Sequence, residues 1–517
     1  MHLYEEFGEE FAIKLNGAFI AAIWDHRRRR LILVNDRLGQ YPLYYALYNG
    51  IFTFASGVRA LLADPSLPRS TDKIAIAEFL TFDHILDDRT LIESVRLLPQ
   101  ASLLIYAENQ LNIKPYWNFK YPDSYPILTE QEYMQKFLSC MEQAVKRQAS
   151  HDDLPTGILL SGGLDSRFIL AYLSDGSQRS PVHAFTWGLP DSDDARFARE
   201  IAKSLGVQHH FFELKPDWLL SKAQEAVLIT DGMGNIVNMH ALATLEPEAE
   251  YAKVIYKGFL GDAMMGFGLR YQLWAEYSEA DFVSGHLQVH KDQGVITFNQ
   301  AEQETLFSPN FRNEVKNAVF DAYVAGMHDS GASLLADQRN YFDFKQRVPR
   351  MTIKGVEVVR NRMMVRLPFC DNDLVEFSLT VPPGLRYERR LMKNAFIRTF
   401  PQLAQVPVSE TGLPMTACAR DVMIRANRVL RWRLHSMGLK GISLEERRPY
   451  KNYNLWFRTV LRPMVEETLL TPRSLERGYY NPNAIQQVVS DHMGGANHAG
   501  RLGALIAIEM WHRQFLD

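Results

Sequence analysis

Two pairs of short apolar runs stand out in the first 120 residues. These runs are residues 19–24, 31–34, 44–48 and 51–54. The first pair flanks the charged stretch at residues 26–30, which is expected to be a solvated turn. The second pair flanks Asn49-Gly50, and an Asn-Gly pair between apolar runs is a strong signal for a β-hairpin. The pattern therefore predicts a mainly β region over residues 1–120.

A different pattern begins near residue 128, after an aromatic segment at residues 116–125 that is expected to be a linker. Residues 130–148 repeat their apolar positions with helical spacing. Strand-like and helix-like stretches then alternate. The expected strands are residues 157–160, 182–187 and 254–256, and the expected helices are residues 167–173 and 194–205. This alternation predicts an α/β fold with a doubly wound parallel sheet, followed by a mostly helical C-terminal part.

Composition narrows the class of protein. Hydrophobic residues make up 46% of the chain and charged residues 23%, as in ordinary globular proteins. A net charge of -3 argues against a broad nucleic-acid surface, and no apolar run approaches the ~18 residues that span a bilayer. Cys140, Cys370 and Cys418 are far apart, so neither a zinc site nor a disulfide framework is expected. Residues 1–10 lack a signal peptide's apolar core, and a cytoplasmic location is expected.

The string SGGLDS, which begins at Ser161, lies between an expected strand and an expected helix. Gly162 and Gly163 allow the backbone to approach a ligand, and the free N–H groups at a helix start favour an anion. Ser161 and Ser166 add hydroxyl donors. Asp165 would repel a phosphate unless a cation lay between them, so it is a candidate magnesium ligand. The lysine of a Walker A loop is absent, so a different kind of phosphate loop is predicted.

This string resembles the pyrophosphate loop of the N-type ATP pyrophosphatases. Further stretches resemble the asparagine synthetase family: residues 184–188, 191–210, 366–376, 382–383 and 497–516. Others resemble a class II glutamine amidotransferase domain: residues 15–19, 35–39, 42–45 and 54–56. The resemblance implies a truncated, β-rich amidotransferase-like domain over residues 1–120. It also implies an ATP pyrophosphatase domain, of the adenine nucleotide α-hydrolase-like fold, over residues 128–517.

The resemblance also carries site residues. Positions that match the family's ATP contacts are Leu160, Trp187, Lys257 and Gly258. Asp262 matches a magnesium-binding aspartate, so Asp165 and Asp262 are expected to bridge Mg²⁺ to the pyrophosphate. Two of these residues have a structural alternative. Trp187 would equally serve as a core aromatic, and Asp262 as a loop cap.

Two positions depart from the family pattern. Phe259 and Ala263 stand where the family has acidic residues. Whether the substrate is aspartate is therefore an open question. Glu357 is a candidate to supply the missing carboxylate, and a structural glutamate is the alternative. Lys393 is the best match for the lysine that stabilises charge on the adenylate and the leaving pyrophosphate, and a surface lysine is the alternative.

The chain starts with Met1-His2, and its first cysteine is Cys140. Glutamine-hydrolysing members of the family need a cysteine at the mature N-terminus. This chain is therefore not expected to hydrolyse glutamine; either the N-terminal domain is a structural remnant or the true start lies upstream.

The expected function is an ATP- and Mg²⁺-dependent ligase that activates a carboxylate, aspartate by family, as an acyl-adenylate. Ammonia or an amine, supplied free or by a partner glutaminase, then forms the amide. One alternative is an amide ligase or cyclase on a peptide or small metabolite, similar to lasso-peptide cyclases or β-lactam synthetases. Another is a non-catalytic nucleotide-binding homologue. A homodimer is a further expectation, and no nucleic-acid or membrane partner is expected.

Overall fold

The structure of the protein is a computed structural model that describes residues 1–149, 154–174, 180–266, 296–416 and 448–517, with isolated positions between them. Within these residues the chain forms two antiparallel sheets, one parallel sheet and many helices. No helix among them is long and apolar enough to cross a bilayer. Cys418 lies outside the described residues.

The N-terminal region contains both antiparallel sheets. The four-stranded sheet has the order β1-β2-β6-β7, with β1 Ile20–Asp25, β2 Arg30–Asn35, β6 Ser102–Ala107 and β7 Gln110–Pro115. The three-stranded sheet has the order β4-β3-β5, with β3 Tyr44–Tyr48, β4 Ile51–Ala55 and β5 Arg96–Leu97. Both predicted hairpins are confirmed. Asn49 and Gly50 have φ of 49° and 77°, as a two-residue turn between twisted strands requires.

The parallel sheet has the order β10-β9-β8-β11-β12. Its strands are β8 Thr156–Leu159, β9 Val182–Gly188, β10 Gln208–Glu213, β11 Val254–Lys257 and β12 Met364–Arg366. All neighbouring strands are parallel, so the predicted α/β fold with a parallel sheet is confirmed. The strand order reverses between β8 and β11, and ligands bind at such a switch point beyond the carboxyl ends of the strands.

Helices pack around this sheet and form most of the C-terminal part. The α-helices of the first half are His2–Phe7, Val58–Leu61, Lys73–Phe82, Glu130–Gln148, Leu164–Leu173, Asp193–Ser204, Trp218–Ile229, Leu245–Tyr251 and Gly261–Met264. Those of the second half are Gln300–Leu306, Pro309–Val315, Ala318–His328, Leu335–Phe342, Lys354–Arg360, Asn372–Leu379, Pro383–Arg386, Arg390–Thr399, Pro401–Ala404, Tyr453–Trp456, Arg462–Leu469, Pro472–Leu475, Pro482–Met493 and Ala499–Phe515. A π-helix covers Asp343–Thr352. The helix predicted over residues 130–148 is confirmed and starts with a capping box between Thr129 and Glu132.

Part of the N-terminal region belongs to the large hydrophobic core of the rest of the chain, whereas two smaller clusters lie within the region itself. The helix Lys73–Phe82 is buried from Ala75 onward and packs against the helix Ala499–Phe515. The Asn235 amide donates to Asp83 Oδ1 at 2.7 Å and to the Gly500 carbonyl at 2.9 Å, which ties three distant segments together. The segment at residues 116–125 is irregular, as expected of a linker, yet Phe119 is buried and stacks on Phe344 at 4.7 Å.

Candidate active site

A cavity of 340 Å³ lies at the switch point, beyond the carboxyl ends of β8 and β11. It brings together most of the site residues expected from the sequence: Leu160, Ser161, Gly163, Asp165, Ser166, Trp187, Lys257, Gly258 and Asp262. Lys393 and Glu357 are not among the residues that line it. The cavity is the natural place for a nucleotide in this fold.

The loop after β8 closes on itself through its serines. The Ser161 N–H donates to Ser166 Oγ at 3.2 Å, and the Gly163 N–H donates to Ser161 Oγ at 3.1 Å. The helix Leu164–Leu173 follows directly, and no side chain caps its first turn. The residues of this first turn line the cavity, and a helix start favours an anion through its free N–H groups and its dipole.

Gly162 holds the loop to its surroundings. Its N–H donates to Asp194 Oδ1 at 2.9 Å, and its carbonyl accepts from the Ser409 N–H at 3.1 Å. The buried Arg167 guanidinium also donates to this carbonyl, at 3.1 Å, and to the Leu403 carbonyl, at 3.0 Å. A Cβ at Gly162 would lie 3.0 Å from Ser409 Cβ, so the close approach favours glycine here.

Asp165 and Asp262 meet at the base of the cavity. The Asp262 N–H donates to Asp165 Oδ2 at 3.0 Å, whereas the buried Asp165 Oδ1 has no hydrogen-bond partner. Burial first, and the Asp262 charge second, raise the pKa of the Asp165 carboxyl well above its usual range. A Cβ at Gly261 would lie only 2.4 Å from Asp165 Oδ2, so glycine leaves the space that this carboxylate occupies.

These two carboxylates fit a hard divalent cation. An ion between them would compensate the charge that burial and repulsion disfavour, and Mg²⁺ takes oxygen ligands of this kind. Within the described residues no group of three or more His, Cys, Asp or Glu side chains is placed to hold a metal. Mg²⁺ usually binds with one or two carboxylates and completes its shell with phosphate oxygens and water, which agrees with such a pair.

Arg389 is a cavity residue that the sequence analysis did not single out. Its guanidinium forms ion pairs with Asp262 and Glu410, and its side chain is 7% exposed. Glu388 and Arg389 both have left-handed backbones, with φ of 48° and 59°. This kink turns Arg389 into the site, whereas Lys393 lies further along the helix Arg390–Thr399 and does not line the cavity.

Another wall of the cavity is formed by aromatic side chains and carries a second cation, Lys257. The Trp187 indole packs edge-on against His240, at 4.5 Å between ring centroids, and against Tyr450, at 5.6 Å. Lys257 Nζ donates to the Gly355 carbonyl at 3.0 Å, and burial lowers the pKa of Lys257 to about 8. An apolar ring beside a cation suits an adenine base with its phosphates.

Other cavity residues also went unpredicted, and they come from three separate parts of the chain: Thr186, Asp194, Ser409, Glu410 and Tyr450. Asp194 offered a sequence signal, since it is an acidic residue in the first turn of the helix after β9. Ser409 and Glu410 follow no recognisable pattern, and only the fold brings them to the loop.

Glu357 and Phe259 lie elsewhere than in the cavity lining. Glu357 forms an ion pair of 2.8 Å with Lys354, which also donates to the Tyr44 hydroxyl at 3.2 Å. Phe259 is 3% exposed and belongs to the hydrophobic core. Glu357 therefore does not bring into this cavity the carboxylate that the family has at the position of Phe259.

Comparisons with known proteins match most of the chain to two families of known domains. A sequence model described as "Asparagine synthase" matches residues 136–406, and one described as "Glutamine amidotransferase domain" matches residues 1–117. "Asparagine synthetase [glutamine-hydrolyzing] 3" of Bacillus subtilis is 28% identical over 415 residues, which cover 74% of this chain and 64% of that protein. "Amidase chyE" of Penicillium rubens is 24% identical over 455 residues, which cover 74% and 66%.

A third relative, "Putative asparagine synthetase [glutamine-hydrolyzing] 2" of Methanocaldococcus jannaschii, is 23% identical over 272 residues, 52% of each protein. The chain thus spans less than two-thirds of the length of each of these relatives. The asparagine synthase match covers more than half of the chain and includes both the loop at Ser161 and Asp262. The chain therefore belongs to the asparagine synthase family.

Proposed function

We propose that this protein is an ATP-dependent, amide-forming ligase that activates a carboxylate as an acyl-adenylate. The observation that carries the proposal is the buried carboxylate of Asp165, which has no ion-pair partner among the described residues and one oxygen without a hydrogen bond, set beside Asp262 and directly after an anion-binding loop. A loop of this kind without the two carboxylates would bind many anions. The combination favours a substrate that brings both phosphate groups and a divalent cation.

In the first step a carboxylate oxygen of the substrate attacks the α-phosphorus of ATP, and the bond to the β-phosphate bridging oxygen breaks. The leaving pyrophosphate lies on the loop, where backbone N–H groups and the hydroxyls of Ser161 and Ser166 stabilise its charge. Mg²⁺, when bound at Asp165 and Asp262, neutralises part of the phosphate charge. Arg389 and Lys257 add positive charge on two sides of the cavity.

In the second step ammonia or an amine attacks the acyl carbon, the amide forms and AMP leaves. Holding the adenylate and the amine in one cavity supplies much of the rate acceleration. We keep aspartate as the first substrate to test because of the family. The nitrogen source is ammonia or an amine, free or delivered by a partner glutaminase. Homodimerisation remains a prediction.

A second candidate is an amide ligase that acts on a peptide or a small metabolite. It is motivated by Phe259, whose buried ring cannot take a proton or contact an amine. The similarity to an amidase is consistent with a broader range of amide chemistry among the relatives.

A cytoplasmic location agrees with the thiols of Cys140 and Cys370, which form no disulfide within the described residues.

The test is ATP–pyrophosphate exchange with the purified protein, Mg²⁺ and a panel of carboxylates headed by aspartate. Aspartate-dependent exchange that is lost in Asp165→Asn and kept in a control variant at an exposed aspartate, Asp123→Asn, would support asparagine synthesis. Exchange only with another acid or a peptide would move the protein to the second candidate. No exchange with any acid, and no difference between Asp165→Asn and the parent in binding ATP, would overturn the proposal in favour of a non-catalytic homologue.

A further inference from the structure

A second cavity, of 230 Å³, lies between the N-terminal region and the π-helix Asp343–Thr352. It shares no lining residue with the cavity at Asp165. One wall comes from the π-helix together with Asp329, and the other comes from loops of the N-terminal region near residues 35–42, 87–88 and 97–100. The proposed reaction makes no use of this space.

The π-helix places two cations side by side at this cavity. Its backbone hydrogen bonds join residues five apart, so Lys345 and Arg350 lie one turn apart on the same face. Both line the cavity, together with Gln346 and Pro349 between them. Helical turns of this kind are rare and are often found at functional sites. In an α-helix the same two side chains would diverge around the axis.

These cations have no direct partner within the described parts of the chain, and the nearby carboxylates, Asp329 for Lys345 and Asp87 and Asp88 for Arg350, offset their burial only in part. Arg350 is 8% exposed, Lys345 is half-buried, and neither makes a hydrogen bond or ion pair to any residue that the structure describes. The Nε of Arg350 is buried without a partner. Burial lowers the pKa of both side chains. Unpaired charge away from water destabilises a folded protein, so an anion in the cavity would remove a real energetic penalty.

The facing wall carries the opposite charge. The Asp87 N–H donates to Gln346 Oε1 at 2.8 Å, and Gln346 Nε2 donates to Asp87 Oδ1 at 3.1 Å, so this pair fixes the wall to the π-helix. The neighbouring Asp88 also lines the cavity. Their ion pairs with Arg89 and Arg96 are long, at 3.7 Å each, and leave carboxylate oxygens open to a further donor.

We propose that this cavity binds a free α-amino acid, with its carboxylate on Arg350 and Lys345 and its ammonium group on Asp87 and Asp88. Both ends of the ligand then meet opposite charge, and its side chain occupies the remaining volume. A multiply charged phosphate fits less well, because the two aspartates would repel it. Since the walls come from two regions of the chain, the bound ligand stabilises their contact.

Thermal shift and calorimetry on the full chain, without ATP or Mg²⁺, test this assignment. The probes are the standard L-amino acids. Acetate, methylamine and inorganic phosphate serve as single-ended ligands, which carry charge of only one sign. At least one amino acid is expected to raise the melting temperature by about 2 °C at saturating concentration, whereas the single-ended ligands are not. Asp165→Asn should leave this shift unchanged, because it alters only the other cavity.

The variants Arg350→Met and Lys345→Met are each expected to weaken amino-acid binding by about tenfold or more, as loss of a charge-assisted contact implies. Arg350→Met should leave the unliganded melting temperature unchanged or higher. Arg386→Met is the control, since Arg386 is also buried but pairs with Asp337 and donates to the Val381 carbonyl, and it should lower that temperature. Lys136→Met, at an exposed lysine, should retain binding.

Three results would overturn the proposal. The first is the absence of a shift with every amino acid. The second is a larger shift with inorganic phosphate than with any amino acid, which would make the cavity a phosphate site. The third is retention of full affinity in both Arg350→Met and Lys345→Met, which would place the binding elsewhere.

Discussion

Replacing Asp165 with asparagine should stabilise the free protein while abolishing its Mg²⁺-dependent binding of ATP. The carboxylate is held away from water beside Asp262, and its Oδ1 has no partner. An asparagine has almost the same shape and keeps an oxygen that can accept from the Asp262 N–H. The substitution therefore removes charge while leaving the packing against Gly258 and Gly261 in place.

The size of the effect follows from two opposing contributions. Removing a buried charge that has no ion-pair partner of its own stabilises the fold by about 2–4 kcal/mol. The hydrogen bond from Asp262 loses its charge assistance, which costs about 1 kcal/mol. The net gain is about 1–3 kcal/mol. With an unfolding entropy of ~2.1 cal/mol/K per residue, a chain of 517 residues gains about 1 °C in melting temperature for each kcal/mol.

The sign of the pH dependence is fixed by the raised pKa of Asp165. Below about pH 4 the carboxyl is protonated in both the folded and the unfolded chain, so the parent loses nothing. As pH rises, the unfolded chain ionises first, and the parent becomes progressively less stable until the folded carboxyl ionises too. The advantage of Asp165→Asn should thus be absent near pH 4 and largest at neutral or alkaline pH.

The assay is thermal unfolding in EDTA across this pH range, followed by titration with ATP and Mg²⁺. The exposed Asp123→Asn serves as the matched control and should behave as the parent throughout. If Asp165→Asn were less stable than the parent at pH 7.5, the idea of a buried charge without an ion-pair partner would be wrong. If it bound MgATP as tightly as the parent, Asp165 would not be part of the metal site.

Three further perturbations follow from the same cavity. Gly261→Ala should abolish binding of MgATP because its Cβ would displace the Asp165 carboxylate. The control Gly384→Ala, where a Cβ meets open space, should bind MgATP as the parent does. Equal MgATP affinities of the two variants would contradict the packing at Gly261. The affinity for ATP should fall as pH rises through about 8, because Lys257 loses its proton there, and Lys257→Arg should flatten this profile in calorimetric titrations. Arg389→Met should lower the free energy of unfolding in urea by about 1–2 kcal/mol. The loss is modest because Asp262 and Glu410 are 44% and 41% exposed, so water partly replaces the lost partner. The variant should also slow pyrophosphate exchange, and an unchanged rate would show that Arg389 is not part of the site.

The parts of the fold and site that the sequence predicted are those with local causes. The hairpin at Asn49 and Gly50, the helix Glu130–Gln148 and the loop at Ser161 each carry their own turn, periodicity or glycine pattern. The family resemblance then located Lys257 and Asp262, which lie far from the loop in sequence but line the same cavity.

The parts that could not be predicted depend on distant contacts. β10 was not expected because two histidines interrupt its apolar pattern, and β12 has only three residues. Arg389 and Lys393 are both basic residues within about one helical turn, and only the left-handed backbone at Glu388 and Arg389 shows which of them lines the cavity. The ion pair of Glu357 with Lys354 likewise depends on how the helix Lys354–Arg360 packs.

The helix Lys73–Phe82 gives the N-terminal region a significance beyond any chemistry that it performs. Because this helix packs on Ala499–Phe515 and shares one core with the parallel-sheet region, deleting it would expose a wide apolar face. The region cannot be excised as an independent module. Any change that removed an activity of this region would leave its structural role in place, because its helix completes the core of the parallel-sheet region.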